Sequence, residues 1–171
     1  YDNQPASELA ARLVALSFPG KVFLCNSGTE AVEGALKFAR LATGRKGFVA
    51  LERAFHGRTF GALSATANPK YRDPFLPLVP GFAHVPAGDL QALGAAVGAD
   101  TAGVILEVVQ GEAGVLPLAG DYLRGVERLC RERGALFIVD EIQTGFGRTG
   151  RMFACEHAGI APDLLCLAKG L

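Results

Sequence analysis

An acidic residue and a lysine each follow a short apolar run near the end of the sequence. Residues 135–139 are apolar, branched or aromatic and lead to Asp140, and residues 163–168 form a second, mainly apolar run that leads to Lys169. Runs of this length and composition are typical of strands buried on both faces of a sheet. Because open α/β sheets bind ligands outside the carboxyl ends of their strands, we expect Asp140 and Lys169 to meet at a ligand site.

An acid and an amine at neighbouring strand ends match the requirements of pyridoxal phosphate (PLP). A lysine holds this cofactor covalently, and a carboxylate contacts its pyridinium nitrogen. The pair therefore predicts a PLP site in which Lys169 and Asp140 are the catalytic residues. Taken alone, Lys169 could equally be a solvated lysine without a function.

A turn of small polar residues precedes a predicted helix in the first part of the sequence. Residues 22–25 are apolar and predict a short buried strand, and residues 31–40 have the spacing of an amphipathic helix. Between them lie Ser27, Gly28 and Thr29, and serine and threonine are residues that cap helices. The start of such a helix can bind a phosphate through its free N–H groups, and it can equally be an ordinary cap.

Aromatic and basic residues follow the next predicted strand, at residues 46–52. They include Phe55, His56 and Arg58. A phenylalanine at a strand end usually packs into the core, a histidine beside it is more often structural than catalytic, and an arginine is often a solvated surface residue. The residue types alone therefore do not decide the roles of these three side chains.

Two acids lie at the end of the predicted strand at residues 101–109. Glu107 is near the strand end and Glu112 lies in the segment that follows. Such groups are suited to the mouth of an active site, and they could equally form hydrogen bonds within a loop.

Predicted helices and strands alternate along the chain. Helices are predicted at residues 7–16, 31–40, 89–97 and 122–133, and strands at residues 22–25, 46–52, 82–85, 101–109, 135–139 and 163–168. Five prolines between residues 66 and 86 predict a largely extended loop there. The alternation predicts an α/β fold with a mostly parallel sheet flanked by helices.

Composition narrows the class of protein. The chain has 171 residues, of which 50% are hydrophobic, and 17 Lys and Arg balance 17 Asp and Glu. We therefore expect one globular domain without a basic face for nucleic acid. No apolar run approaches the roughly 20 residues of a membrane span, and no basic and apolar leader begins the chain, so we expect no membrane contact and a cytoplasmic protein. The four cysteines are far apart and predict reduced thiols that are buried fillers or bystanders, without a metal: Cys25, Cys130, Cys155 and Cys166.

Four motifs in a fixed order resemble the class III (ornithine/acetylornithine-type) aminotransferases. They are Ser-Gly-Thr-Glu at 27–30, Phe-His-Gly-Arg-Thr at 55–59, Asp-Glu-Ile-Gln-Thr-Gly-Phe-Gly-Arg-Thr-Gly at 140–150, and Ala-Lys-Gly at 168–170. The segment at 107–112 is also similar, although Val108 stands where proline is more common. The resemblance runs over the whole chain and implies the fold of the large domain of PLP enzymes of the aspartate aminotransferase type (fold type I).

The resemblance also implies a role for each site residue. The PLP phosphate would be held by Ser27, Gly28 and Thr29, and the ring by Phe55, Asp140 and Gln143, with Lys169 as the covalent anchor. Arg58 would bind the α-carboxylate of the substrate. Glu107 and Glu112 would lie on the substrate side, where Glu112 matches an acid that pairs with an arginine beyond this chain.

The implied reaction transfers the terminal amino group of N2-acetylornithine, or a similar ω-amino acid, to 2-oxoglutarate in arginine biosynthesis. Ornithine, 4-aminobutyrate and lysine-pathway aminoadipate-semialdehyde aminotransferases share nearly all of these residues. Members of the family are homodimers more than twice as long as this chain. We therefore expect residues 1–171 to be a single partial domain, the central part of the large domain, and the isolated segment to be inactive.

A glycine pattern in the same region suggests a different class of enzyme. Gly145, Gly147 and Gly150 match the GxGxxG pattern of NAD-dependent oxidoreductases. That motif requires the first glycine to follow a strand at once and the third to open a long helix. Here four residues intervene after Asp140, and Pro162 leaves room for barely two helical turns. We therefore expect a sharply turning loop instead of a dinucleotide site.

Overall fold

A parallel β-sheet forms the centre of the computed structural model, which describes residues 3–171. The strands are β1 (Gly47–Leu51), β2 (Phe82–Val85), β3 (Thr101–Glu107), β4 (Val109–Gln110), β5 (Leu116–Pro117), β6 (Leu136–Asp140) and β7 (Leu164–Cys166). Five of them pair in parallel in the order β2-β1-β3-β6-β7, and β4 and β5 form a separate antiparallel pair.

Helices cover both faces of this sheet. They are α1 (Gln4–Leu16), α2 (Gly28–Thr43), α3 (Phe60–Ala65), α4 (Pro69–Arg72), α5 (Leu90–Ala96), α6 (Gly120–Arg133) and α7 (Cys155–Ala158). Val49 and Val104 face an apolar layer with α5, α6 and α7, whereas their neighbours Phe48 and Ile105 face a second layer with α2 and α3. Because both faces are covered, the strands are apolar at successive positions. The predicted α/β class is confirmed.

The ends of the two longest helices follow from local sequence. Ser27 caps α2, and Gly44 ends it with φ 69°. Gly134 ends α6 with φ 63°, and its N–H group donates to the carbonyl groups of Cys130 and Arg131. Glycine adopts this left-handed conformation without the steric cost that a side chain imposes.

The predicted strand at residues 22–25 is wrong. These residues are irregular, and Phe23 and Leu24 are 61% and 42% exposed. The segment and the edge strand β7 line a shared cavity of about 530 Å³, so no ladder forms between them. An apolar run becomes a strand only where a partner strand is within hydrogen-bonding distance, and local composition does not contain that information.

The cysteines are free, but one of the four is not buried. Cys25 is exposed, whereas Cys130, Cys155 and Cys166 are buried. Burial raises the pKa of the Cys130 and Cys155 thiols to about 12 and that of Cys166 well above its usual value. These three thiols are therefore protonated and unreactive at neutral pH.

None of the helices in residues 3–171 combines the length and the hydropathy that crossing a bilayer requires.

Candidate active site

A cavity of about 300 Å³ lies where strands β1, β3, β6 and β7 end. This volume is at the lower end of the range for small-molecule sites. The cavity is lined by Gly28, Thr29, Phe55, His56, Gly57, Arg58, Glu107, Asp140, Ile142, Gln143, Ala168 and Lys169. Eight of the ten residues that the sequence predicts for the site are in this set, and the two others are Ser27 and Glu112.

Sheet register brings the polar strand ends together. Glu107 at the end of β3 lies opposite Asp140 at the end of β6, and Asp140 lies opposite Cys166 at the end of β7. Lys169 follows three residues later and lines the same cavity. The expectation that Asp140 and Lys169 follow neighbouring strands is confirmed.

Asp140 is 4% exposed and both of its carboxylate oxygens have partners. Oδ1 accepts a hydrogen bond from the Ile142 N–H group at 3.0 Å, and Oδ2 lies 2.8 Å from Nδ1 of His56. Since a carboxylate can only accept, His56 donates from Nδ1 in this pair. The two contacts hold the carboxylate in one orientation beside the cavity.

The sequence does not reveal that His56 pairs with Asp140. His56 is 2% exposed, and its N–H group donates to the Thr66 hydroxyl at 2.9 Å. Its Nε2 atom is buried without a hydrogen-bond partner among residues 3–171. The contact with Asp140 joins residues 84 positions apart, and a histidine after a strand carries no local signal of it.

The start of α2 forms one wall of the cavity. The Ser27 hydroxyl accepts from the Glu30 N–H group at 3.3 Å and so caps the helix. The N–H groups of the first turn lack intrahelical acceptors, and Gly28 and Thr29 carry them to the cavity. Ser27 itself lines the larger cavity beside β7, so its contact with a cofactor remains a prediction.

Glu33 of α2 ties this helix start to the segment that carries Arg58. Its Oε1 atom accepts hydrogen bonds from the Thr59 hydroxyl at 2.6 Å and from the N–H groups of Gly61 and Ala62 at 2.8 and 3.1 Å. The Thr59 hydroxyl also lies 2.9 Å from that of Thr29. Glu33 therefore caps α3 from a different helix, a role that its position on α2 does not indicate.

Gly57 allows the close approach of these segments. Its φ is 131°, in the region that favours glycine, and an added Cβ would meet the Thr29 hydroxyl and lie 2.8 Å from the Thr29 Cβ. A side chain at this position would push Thr29 away from the cavity wall.

Phe55 and Arg58 line the cavity together and share a neighbour. The Phe55 ring lies edge-on to the ring of Tyr71, with centroids 5.7 Å apart. The Arg58 guanidinium lies over the face of the same Tyr71 ring, 4.9 Å from its centroid. Tyr71 belongs to the proline-rich segment, for which the sequence indicates no role.

Glu107 is 3% exposed and holds the backbone of two segments. Its Oε1 accepts from the Phe55 N–H group at 2.8 Å and its Oε2 from that of Gly111 at 3.1 Å. Burial raises its pKa, and the nearby His56 opposes that shift. These contacts support a positioning role, and direct contact of Glu107 with a substrate remains a prediction.

Glu112 is exposed and does not line the cavity. Its predicted role depends on an arginine outside this chain and also remains a prediction.

A fully buried glutamate holds the loop that carries Gln143. Glu141 is 0% exposed, and its carboxylate accepts hydrogen bonds from the N–H groups of Ala154 and Cys155 at 2.7 and 2.8 Å and from the Thr144 hydroxyl at 3.1 Å. The carboxylate thus links the two ends of this loop. Buried acids of this kind are identifiable only from their contacts.

The GxGxxG segment is a turning loop, as expected. Gly147 and Gly150 have φ values of 84° and 89°, and the next helix, α7, is a single turn that begins at Cys155. The geometry of a dinucleotide site, in which the third glycine opens a long helix, is not formed by these residues.

The side chains of the cavity fit the parts of PLP. Free N–H groups at the start of α2 can bind a phosphate, and the Phe55 ring can pack on an aromatic ring. The oriented Asp140 carboxylate can accept a hydrogen bond from a protonated ring nitrogen, and the Lys169 amine can react with an aldehyde. All four features line one cavity.

Comparison with known proteins agrees with this geometry. The chain is 57% identical to an acetylornithine aminotransferase of Methanopyrus kandleri, over 100% of this chain and 44% of that protein. A transaminase from the marine bacterium Virgibacillus superposes with a TM-score of 0.94 at 30% identity, covering 99% of this chain and 43% of that one. An ornithine aminotransferase of Toxoplasma gondii, crystallised with PLP partially occupying its active site, superposes with a TM-score of 0.88 at 34% identity, covering 98% and 42%.

The chain therefore spans less than half of the length of these relatives. The family model described as aminotransferase class-III matches residues 1–171, and the chain belongs to the class III aminotransferases.

Proposed function

We propose that this chain is the central part of the large, PLP-binding domain of a transaminase that acts on a terminal amino group. The observation that supports it most directly is the single cavity shared by Lys169, Asp140, Phe55 and the start of α2. The identity of 57% with an acetylornithine aminotransferase favours N2-acetylornithine as donor. 2-Oxoglutarate as acceptor and a place in arginine biosynthesis follow from the resemblance of the sequence motifs. Ornithine, 4-aminobutyrate and the lysine-pathway semialdehyde remain alternative substrates.

Each residue of the cavity has a task in this proposal. Bound PLP supplies an electron sink for the bond that breaks at the carbon bearing the amino group. Asp140 keeps a proton on the ring nitrogen, since its buried carboxylate accepts the hydrogen bond and His56 holds it in place. Lys169 would hold the cofactor covalently through Nζ. Once the amine of the donor displaces Nζ from that bond, the free Nζ would take the proton from that carbon of the donor.

The other predicted contacts orient the two reactants. Gly28 and Thr29 bind the phosphate with N–H groups of α2, and Phe55 excludes water from one face of the ring. Gln143, which lines the same cavity, would donate a hydrogen bond near the phenolic oxygen of the cofactor. Arg58 binds the substrate carboxylate, for which its planar fork of N–H donors is better suited than the ammonium group of a lysine.

We also propose that the full-length protein is a homodimer. Phe60, Phe75 and Leu76 are between 56% and 60% exposed, and we assign these apolar side chains to the surface that a second subunit covers. A cytoplasmic location stays a prediction of the sequence.

The proposal is tested with the full-length protein reconstituted with PLP. We expect an absorption band of protein-bound cofactor, and after borohydride reduction and peptide mapping we expect the label on Lys169. Lys169→Ala should lose the label and transamination, whereas Lys37→Ala, a change at an exposed lysine of α2, should keep both. Label on another lysine would refute the assignment of the anchor. A screen of acetylornithine, ornithine and 4-aminobutyrate with 2-oxoglutarate then identifies the donor.

A further inference from the structure

Tyr71 contacts both the residue proposed to cover the cofactor ring and the residue proposed to bind the substrate carboxylate. Its ring lies 5.7 Å from the ring of Phe55, centroid to centroid, at an interplanar angle of 76°. The Arg58 guanidinium carbon lies 4.9 Å from the centroid of the Tyr71 ring. The Tyr71 ring therefore packs against both side chains, of which Phe55 is proposed to cover the cofactor ring and Arg58 to bind the substrate carboxylate.

The position of Tyr71 is itself determined by the backbone. It lies in α4, which Asn68 caps by accepting a hydrogen bond from the Lys70 N–H group at 3.0 Å. The Ala67 N–H group donates to the carbonyl of Ala54 at 3.1 Å, next to Phe55 in the chain. The segment that carries Tyr71 is thus attached to the segment that carries Phe55, and the ring has a defined place against it.

The contact with Tyr71 leaves Arg58 able to bind an anion. The Arg58 guanidinium carbon lies over the Tyr71 ring. Guanidinium N–H groups lie in the plane of the group, so a guanidinium that is stacked on an aromatic ring keeps them free for an anion. Arg58 is exposed, and a free arginine side chain loses conformational entropy when it grips a carboxylate. Holding the guanidinium over the Tyr71 ring removes part of that loss before the substrate arrives.

We propose that Tyr71 is a positioning residue for substrate carboxylate recognition, which it achieves by holding the Arg58 guanidinium at the rim of the cavity. This inference rests on the proposed function, in which Arg58 binds the carboxylate. It assigns a role to the proline-rich segment, and it makes selectivity for carboxylated donors depend on an aromatic ring at position 71. A tyrosine that only packed against Phe55 would instead affect all donors alike.

The test compares two amino donors that differ only in the carboxylate, 5-aminopentanoate and pentylamine, on the full-length PLP-loaded protein. We expect Tyr71→Leu to lower the ratio of kcat/KM for 5-aminopentanoate to that for pentylamine by about two- to fivefold, the strength of an exposed cation–π contact. The lower ratio should result from a higher KM for 5-aminopentanoate. Tyr71→Phe retains the ring and should restore the wild-type ratio.

The same substitution in the Arg58→Gln variant shows whether Tyr71 acts through Arg58. In Arg58→Gln, the further change Tyr71→Leu should leave the ratio unchanged, because no guanidinium remains to be held. An equal loss for both donors, a ratio that still falls in Arg58→Gln, or a defect of Tyr71→Phe as large as that of Tyr71→Leu would each overturn the inference.

Binding of pentanoate, measured by calorimetry, tests the same contact without turnover. Tyr71→Leu should weaken it by the same factor, and Tyr71→Phe should not. A wild-type protein that transaminates none of acetylornithine, ornithine, 4-aminobutyrate and these two donors refutes the proposed function, whereas the pentanoate titration still decides the role of Tyr71. Pentanoate affinity that is unaffected by Tyr71→Leu would refute that role alone.

Discussion

Replacement of His56 by leucine tests the arrangement around Asp140. In the wild-type structure, Nδ1 of His56 lies 2.8 Å from Oδ2 of Asp140 and donates to it. Leucine fills most of the same buried volume but has no donor for this oxygen. The carboxylate would keep only the contact of Oδ1 with the Ile142 N–H group at 3.0 Å. A hydrogen bond to a charged group contributes about 1.5–3 kcal/mol. A change of about 1.4 kcal/mol in free energy corresponds to a tenfold change in an equilibrium or rate constant.

We therefore expect His56→Leu to lower kcat/KM of the full-length, PLP-loaded protein by about ten- to a hundredfold, if the orientation of Asp140 is needed in the transition state. The assay is the spectroscopic half-reaction with the best amino donor. His56→Asn is the matched control, since its amide nitrogen can occupy a position close to that of Nδ1 and donate to the same oxygen.

The two variants must differ for the reasoning to hold. If His56→Leu stays within twofold of the wild-type kcat/KM, the contact with Asp140 is not used in catalysis. If His56→Asn is as defective as His56→Leu, the effect comes from the loss of the imidazole itself and the argument from hydrogen bonding fails.

Three further changes test the walls of the cavity in the full-length protein. Gly57→Ala should cost about 1–3 kcal/mol of stability and weaken PLP binding, because of its φ and the contact with Thr29. Gly28 has no positive φ and an added Cβ there would lie 2.9–3.2 Å from three side-chain carbons of Ile142, so Gly28→Ala should cost less. Thermal melting and a PLP titration check both. Glu33→Ala should lower the free energy of unfolding by about 1–3 kcal/mol, since the N–H groups at the start of α3 lose their acceptor, and Glu33→Gln should lose less in the same urea titration. Burial raises the pKa of Glu107, so the stability from this group is present below its unfolded pKa of about 4.3 and is lost as the pH rises through the folded pKa. The melting temperature of Glu107→Gln, measured relative to wild type, should therefore rise with pH over that window, and a constant difference would contradict the assignment.

Much of the fold could be predicted because its signals are local. The apolar runs that became β1, β3 and β6 are buried on both faces, and a single short sequence reveals such a run. Gly134 at the end of α6 is equally local, since only the last turn of the helix and the next residue are involved. The run at residues 22–25 has the same composition and is not a strand, because pairing depends on a neighbour that the run does not specify.

The sequence by itself determined which chemistry is present: an acid and a lysine after buried strands, a helix start with small residues, and an aromatic and an arginine after β1. Only the tertiary structure decided which of these groups touch. The pairs His56 and Asp140, Glu33 and Thr59, and Arg58 and Tyr71 are joined by strand order, sheet register and helix packing. These depend on contacts between residues distant in the chain, and the periodicity of a local segment does not encode them.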